Sequence, residues 1–139
     1  MTILIADDDI DDRLFMEQAL RQCGYTQQIR FVEDGEYLMD YLYRKGEFNE
    51  ANAPWPKLLI LDLNMPRKNG FQVLREIKDD PALRRLPVVV MTTSSADDDV
   101  IRTYNLGVNS FVIKPFNFNR LVEIVSSLKT YWIDTVKLP

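Results

Sequence analysis

Five short apolar runs punctuate the chain: Thr2–Ala6, Gln28–Val32, Leu58–Asp62, Val88–Thr92 and Ser110–Ile113. Runs this short and this rich in Ile, Leu and Val, bounded by Gly, Pro or charged residues, predict strands, the central ones buried on both faces. The intervening stretches carry apolar residues at helical spacing. Leu14, Phe15, Gln18 and Ala19 share one predicted face, as do Tyr37, Leu38, Tyr41 and Leu42. Val73, Leu74 and Ile77 form a third set, Val100, Ile101 and Tyr104 a fourth, and Leu121, Val122, Val125 and Leu128 a fifth. Strand and helix alternating five times predict an α/β fold, a parallel sheet covered by helices on both faces. Right-handed crossovers leave few topologies for it.

Gly35, Gly70 and Gly107 fall at joins, and Pro81 and Pro87 close the third helix and open the fourth strand. The stretch Gly46–Pro56 (GEFNEANAPWP) is a longer connection, too short for a second domain, and is expected to be a surface excursion.

Composition narrows the chemistry. The 139 residues are enough for one domain with its own core, and the net charge of −4 argues against a nucleic-acid partner. With no histidine at all, His-based triads and His metal ligands are excluded. The single cysteine, Cys23, excludes an internal disulfide and fits a reducing compartment. No apolar run approaches membrane-spanning length and the start MTILIADDD is not a signal peptide, so a cytoplasmic location and no membrane partner are expected.

In open parallel sheets, ligands sit beyond the carboxyl ends of the strands, where the strand order reverses. The first strand ends in Asp7, Asp8 and Asp9, the third in Asp62, the fourth in Thr92 and Thr93, and the fifth in Lys114. Under the strand order 2-1-3-4-5 the reversal brings Asp7, Asp8 and Asp62 to one mouth. Three carboxylates there repel one another, and a hard divalent cation such as Mg2+ relieves that. Lys114 and Thr92 supply a cation and a hydroxyl suited to phosphate oxygens. Together these groups describe phosphoryl transfer, with Asp62 as the nucleophile. Each group also has an ordinary alternative. An acidic run before a helix caps it, which is the expected role of Asp9 and Asp11. Asp62 could be a cap, Thr92 a strand-end hydroxyl and Lys114 a surface charge; their coincidence on one rim favours the chemical reading.

The segments ADDD, LDLNMP, VVVMTTS and FVIKPF, in this order, resemble the receiver domain of two-component response regulators, the CheY-like family. The likeness covers residues 1–130 and leaves 131–139 as an apolar extension without an output domain. It implies a flavodoxin-like doubly wound sheet of five strands, order 2-1-3-4-5, with five helices. It also implies Asp62 as phosphoacceptor, Asp8 as a direct Mg2+ ligand and Asp7 as one acting through water. Asn64 would offer its backbone carbonyl to the metal, Thr92 and Lys114 would bind the phosphoryl group, and the Lys114–Pro115 peptide would be cis. Where many receivers carry a switch tyrosine, this chain has Phe111, which either swings with Thr92 as a switch or is plain core. Ser94 is placed to influence how water reaches the acyl phosphate.

The excursion RKGEFNEANAPWP and the ending YWIDTVKLP look like the small regulators of bacterial and cyanobacterial phytochrome kinases. That resemblance implies a sensor histidine kinase, of phytochrome type, as donor, and a downstream protein or a phosphotransfer protein as recipient of the signal. Tyr131, Trp132, Ile133, Val136 and Leu138 either fold back on the domain or join the fourth and fifth helices in a homodimer. Two other functions compete. A phosphate-independent pseudo-receiver would usually lack some of the set Asp7, Asp8, Asp62, Thr92 and Lys114. A phosphatase of the haloacid dehalogenase type would want an acid two residues after the nucleophile, where this chain has Asn64. The chain is therefore expected to be a phosphoacceptor and not an enzyme acting on other substrates.

Overall fold

The computed structural model describes residues 1–94 and 96–139. Five parallel strands, β1 (Thr2–Ala6), β2 (Gln28–Val32), β3 (Leu58–Leu61), β4 (Val88–Thr92) and β5 (Ser110–Ile113), form one sheet in the order β2-β1-β3-β4-β5. This is the flavodoxin-like order expected. The helices are α1 (Ile10–Gln22), α2 (Gly35–Tyr43), α3 (Gly70–Asp79), α4 (Asp97–Asn105) and α5 (Phe118–Lys129), and α5 runs on into a π-helical segment, Thr130–Thr135.

Side-chain alternation along each inner strand feeds two separate cores. Leu4, Leu59, Leu61, Val88 and Val90 meet α2 and α3 on one face of the sheet. Ile3, Ile5, Leu58, Ile60, Val89 and Met91 meet α1 and α5 on the other. The inner strands β1, β3 and β4 are therefore buried at every position, whereas the edge strands β2 and β5 carry partly exposed residues.

Three helix faces follow the predicted periodicity and two depart from it. Leu38, Tyr41 and Leu42 of α2, Val73, Leu74 and Ile77 of α3, and Leu121 and Val125 of α5 are buried. In α1 the buried stripe is Met16, Ala19 and Leu20, and Leu14 and Phe15 are exposed. In α4 Thr103 is buried while Ile101 and Tyr104 face solvent. Both stripes are displaced because a helix with apolar residues on more than one side is oriented by its neighbours, here α5 beneath α1.

The 46–56 excursion is seated on α2. Phe48 packs on the Tyr41 ring at 5.3 Å between centroids, Ala53 is buried, and the Tyr41 hydroxyl donates to the Pro54 carbonyl at 2.6 Å. Burial pushes the Tyr41 phenol up to about 12. At the other end, Trp132 and Ile133 fold back on the α1–α5 core and Tyr131 is left exposed. Among the described residues no helix is long and apolar enough to cross a membrane.

Candidate functional site

The strand ladders extend one residue beyond β1 and β3, and this fixes the two acids there. The Asp7 N–H donates to the Val32 carbonyl at 3.1 Å, and the Asp62 N–H donates to the Ala6 carbonyl at 3.0 Å. Asp62 thus stands just past the end of β3, not within it. Asp9 is the N-cap of α1, its side chain accepting from the N–H groups of Asp11 and Asp12, and Asp11 lies in the acidic first turn, both as expected. The Asp9 N–H in turn donates to Asp7 Oδ1 at 3.0 Å, and Arg13 Nη1 donates to the Asp7 carbonyl at 2.7 Å. The cap therefore also orients the first site carboxylate.

Asp7, Asp8 and Asp62 each bring a carboxylate oxygen to within 4.8 Å of the others. Asp7 and Asp62 are buried and Asp8 is exposed, so the cluster has a closed floor and an open side. Lys114 Nζ reaches into it and donates to Asp7 Oδ2 at 2.7 Å, Asp12 Oδ2 at 2.8 Å and Asp62 Oδ2 at 2.9 Å. Burial alone would drain the charge from Lys114, but its hydrogen bonds to Asp12 and Asp7 and the charge of Asp62 outweigh that and hold the ammonium well above its ordinary pKa. Burial pushes Asp7 up from the usual carboxylate range, against the hydrogen bonds from Lys114 and the Asp9 N–H, and the charge of Asp62 adds to the rise. One ammonium facing four carboxylates leaves the site short of positive charge. An all-oxygen donor set with one open side fits a hard divalent cation.

On the other flank, the Asn64 N–H donates to Asp62 Oδ1 at 3.1 Å and Asn64 Nδ2 donates to Thr92 Oγ1 at 3.3 Å. Thr92 is fully buried at the end of β4. The loop after Asp62 is held from outside by Arg67, whose Nε lies 3.6 Å from the buried Asp34 carboxylate. Beneath the carboxylates an apolar cavity of about 370 Å³, lined among others by Ile5, Met16, Ile60, Met91 and Leu121, opens between α1 and the segment after β5.

Asp7, Asp8, Asp62, Asn64, Thr92 and Lys114, all named from the sequence, are brought to one rim. The Lys114–Pro115 peptide is a correction: no cis bond occurs among the described residues. The trans form is the lower in energy for X-Pro, and Lys114 is anchored with the bond trans. Its N–H donates to the Thr92 carbonyl at 2.8 Å and its ammonium is held at three points. Phe111 is half-buried against the α2–α3 core, and its backbone N–H donates to the Tyr104 hydroxyl at 3.2 Å. The Ser94 hydroxyl donates to Asp99 Oδ2 at 2.6 Å. Two residues at the mouth were not singled out from the sequence for this role. Thr93 lines the opening beside Asp62 and Lys114, and Asp12 is the third partner of the lysine. For Asp12 the available signal was its position five residues after Asp7, in the first turn of the helix that begins at Ile10.

Residues 3–126 match the response regulator receiver domain. Over 137 residues, 99% of this chain and 92% of the relative, the sequence is 39% identical to response regulator Rcp1 of Synechocystis sp.. The crystal structure of the Mn2+-bound form of Rcp1 is similar with a TM-score of 0.90 at 39% identity, covering 99% of this chain and 98% of that one. The crystal structure of the phosphorylated cyanobacterial phytochrome response regulator RcpA is similar with a TM-score of 0.92 at 40% identity, covering 99% and 97% of the two chains. With residues 3–126 matching the family and 39% identity to a relative over 99% of its own length, the chain belongs to the response regulator receiver family of two-component signalling.

Proposed function

We propose that this chain takes a phosphoryl group onto Asp62 from the phosphohistidine of a sensor histidine kinase, in a Mg2+-dependent reaction, and signals through protein contacts. The observation that carries this reading is the seating of the Asp62 carboxylate beside Asp7, Asp8 and the Lys114 ammonium at the topological switch point. In the transfer, an Asp62 carboxylate oxygen forms a bond to phosphorus, the bond from phosphorus to the donor's ring nitrogen breaks, and the electron pair returns to the imidazole. Lys114 and Thr92 are the groups of this chain suited to bind the phosphoryl oxygens, one by charge and one by its hydroxyl. Asp8 and Asp62, with the Asn64 carbonyl and with Asp7 through water, would hold the metal. When bound, Mg2+ neutralises the charge that gathers on the transferring group and on the acids around it.

A protein donor fits the surroundings of the mouth. Ile10, Leu14, Phe15 and Phe116 are exposed on α1 and on the segment after β5, an apolar rim that a small phosphodonor would not need. The likeness to RcpA, a cyanobacterial phytochrome response regulator, supports a phytochrome-type kinase as that donor. We further read residues 1–130 as the receiver domain and 131–139 as its extension, acting in a cytoplasmic setting. The recipient would be a downstream protein or a phosphotransfer protein. The exposed Ile101, Tyr104, Ile113 and Tyr131 support a homodimer through α4, α5 and the tail.

The test is intact mass after incubation with acetyl phosphate, with and without Mg2+, on the wild type and on Asp62→Asn. A single Mg2+-dependent phosphoryl adduct that the variant lacks is the expected result. A folded wild type that forms no adduct and binds no beryllofluoride would return the chain to the pseudo-receiver class.

A further inference from the structure

An ammonium has three protons, and Lys114 spends all three on carboxylates of unequal standing. Two of the acceptors, Asp7 Oδ2 and Asp62 Oδ2, belong to the cluster that suits a divalent cation, and their side chains are only 5% and 8% exposed. The third, Asp12, stands outside that cluster on the first turns of α1, with its side chain 38% exposed. A cation entering among Asp7, Asp8 and Asp62 would repel the ammonium and compete for the same oxygens. Asp12 is then the partner that Lys114 keeps.

We propose that Asp12 is a positioning residue, the carboxylate that retains Lys114 when a metal occupies its neighbours and releases it when a phosphoryl group arrives on Asp62. The inference rests on the phosphoacceptor reading above and adds to it a residue that acts through Lys114. Release is easy because Asp12 is partly solvated, so water replaces the lysine at small cost. Its retention of Lys114 has opposite consequences for the two binding steps. The metal-loaded state leans on Asp12 more than the metal-free state does, so Asp12 favours metal binding. The phosphoryl-bearing state leans on it less, so Asp12 opposes the phosphoryl group.

The experiment uses the full chain as wild type, Asp12→Asn, Asp12→Glu, Asp11→Asn and Asp62→Asn. It measures affinity for Mg2+ alone, then for beryllofluoride at saturating Mg2+. Asp12→Asn is expected to weaken Mg2+ and to tighten beryllofluoride, each by about two- to fivefold, the scale of one partly exposed ion pair. Asp12→Glu should stay near the wild type in both. Asp11→Asn removes the same charge one residue away without touching Lys114, and should move both affinities by much less. A readout independent of loading is the Lys114 ammonium resonance in metal-free protein, slow to exchange in the wild type and broadened in Asp12→Asn. The proposal is overturned if Asp12→Asn shifts both affinities in the same direction or neither, or if Asp11→Asn matches it. Beryllofluoride binding that needs Asp62 but ignores Asp12 overturns this inference alone. A wild type that binds neither probe overturns the phosphoacceptor reading with it.

Discussion

Gly70 lies against the backbone of the acid it helps to place: a Cβ at residue 70 would stand 2.8 Å from the Asp62 carbonyl oxygen and 2.7 Å from Leu63 Cα. Its N–H donates to the Leu63 carbonyl at 3.0 Å, so the first turn of α3 is docked on the two residues that follow β3. In an ordinary helix, replacing Gly by Ala gains up to about 1 kcal/mol. At residue 70 the sign reverses, because backbone atoms cannot step aside as a flexible side chain can. Gly70→Ala is expected to cost about 1–3 kcal/mol, the range for overpacking, read from the midpoint of urea unfolding. The displaced Asp62 backbone should also slow adduct formation with acetyl phosphate in the fraction that remains folded.

Asp7 trades stability for its place at the site. Burial raises its pKa in the folded state, so between its unfolded and folded values the native chain binds more protons than the unfolded one. Stability of the metal-free protein therefore falls as pH rises through the folded value, and the penalty is complete above it. Asp7→Asn should raise the metal-free unfolding temperature at pH 7, and the gain over wild type should fade on acidification. Addition of Mg2+ should then reverse the order. The wild type gains about 2.7 kcal/mol at a hundred times its Kd, and the variant, with a weakened site, gains less. Thermal unfolding across pH with and without the metal checks both signs.

Phe111 carries no hydroxyl, yet a hydroxyl meets its strand from α4. The Phe111 N–H belongs to edge strand β5, and Tyr104 caps it at 3.2 Å. Tyr104→Phe removes that acceptor and keeps the ring. The expected loss is small, about 0.5–1.5 kcal/mol, because the freed N–H is within reach of water. Hydrogen exchange is the sharper measurement: the Phe111 amide should exchange faster in the variant, with the β1 and β3 amides unchanged. Equal protection at Phe111 in both proteins would show that this bond does not hold α4 to β5.

The strands were legible because burial on both faces leaves β1, β3 and β4 mostly Ile, Leu and Val, and the same runs deliver Asp7, Asp62 and Thr92 to one rim. Helix faces were less so. In α1, Leu14 and Phe15 compete in the sequence with Met16 and Leu20, and only the position of α5 decides which pair is covered. In α4 the buried residue is Thr103, whose hydroxyl donates to the Val100 carbonyl, so a polar side chain sits inside and Ile101 outside. Asp12 escaped notice for a related reason. In an acidic run, cap and site partner look alike until the lysine just past β5, 102 residues away, is laid beside it. The isomer of Lys114–Pro115 could not be read from spacing either, since X-Pro has only a weak intrinsic preference.

The tail separates two explanations for its apolar residues. Trp132 and Ile133 pack against the α1–α5 core, while Tyr131 remains 54% exposed with its ring edge-on to Trp132 at 5.1 Å. An inward role predicts loss of stability. Trp132→Ala should cost about 1–3 kcal/mol, below the 3–5 of a fully buried Trp because this one is only partly covered. An outward role predicts loss of association. Tyr131→Glu and Ile101→Glu should each leave stability within about 0.5 kcal/mol, as surface substitutions do, and should each weaken a homodimer. Sedimentation velocity over a concentration series, before and after beryllofluoride, decides it. A wild type that sediments as a monomer at every concentration in both states would remove the dimer and leave the tail as a buttress of α5. A dimer that Tyr131→Glu abolishes while the Asp62 adduct still forms would place the output surface on the side of the sheet edge that β5 forms, apart from the phosphorylation site itself.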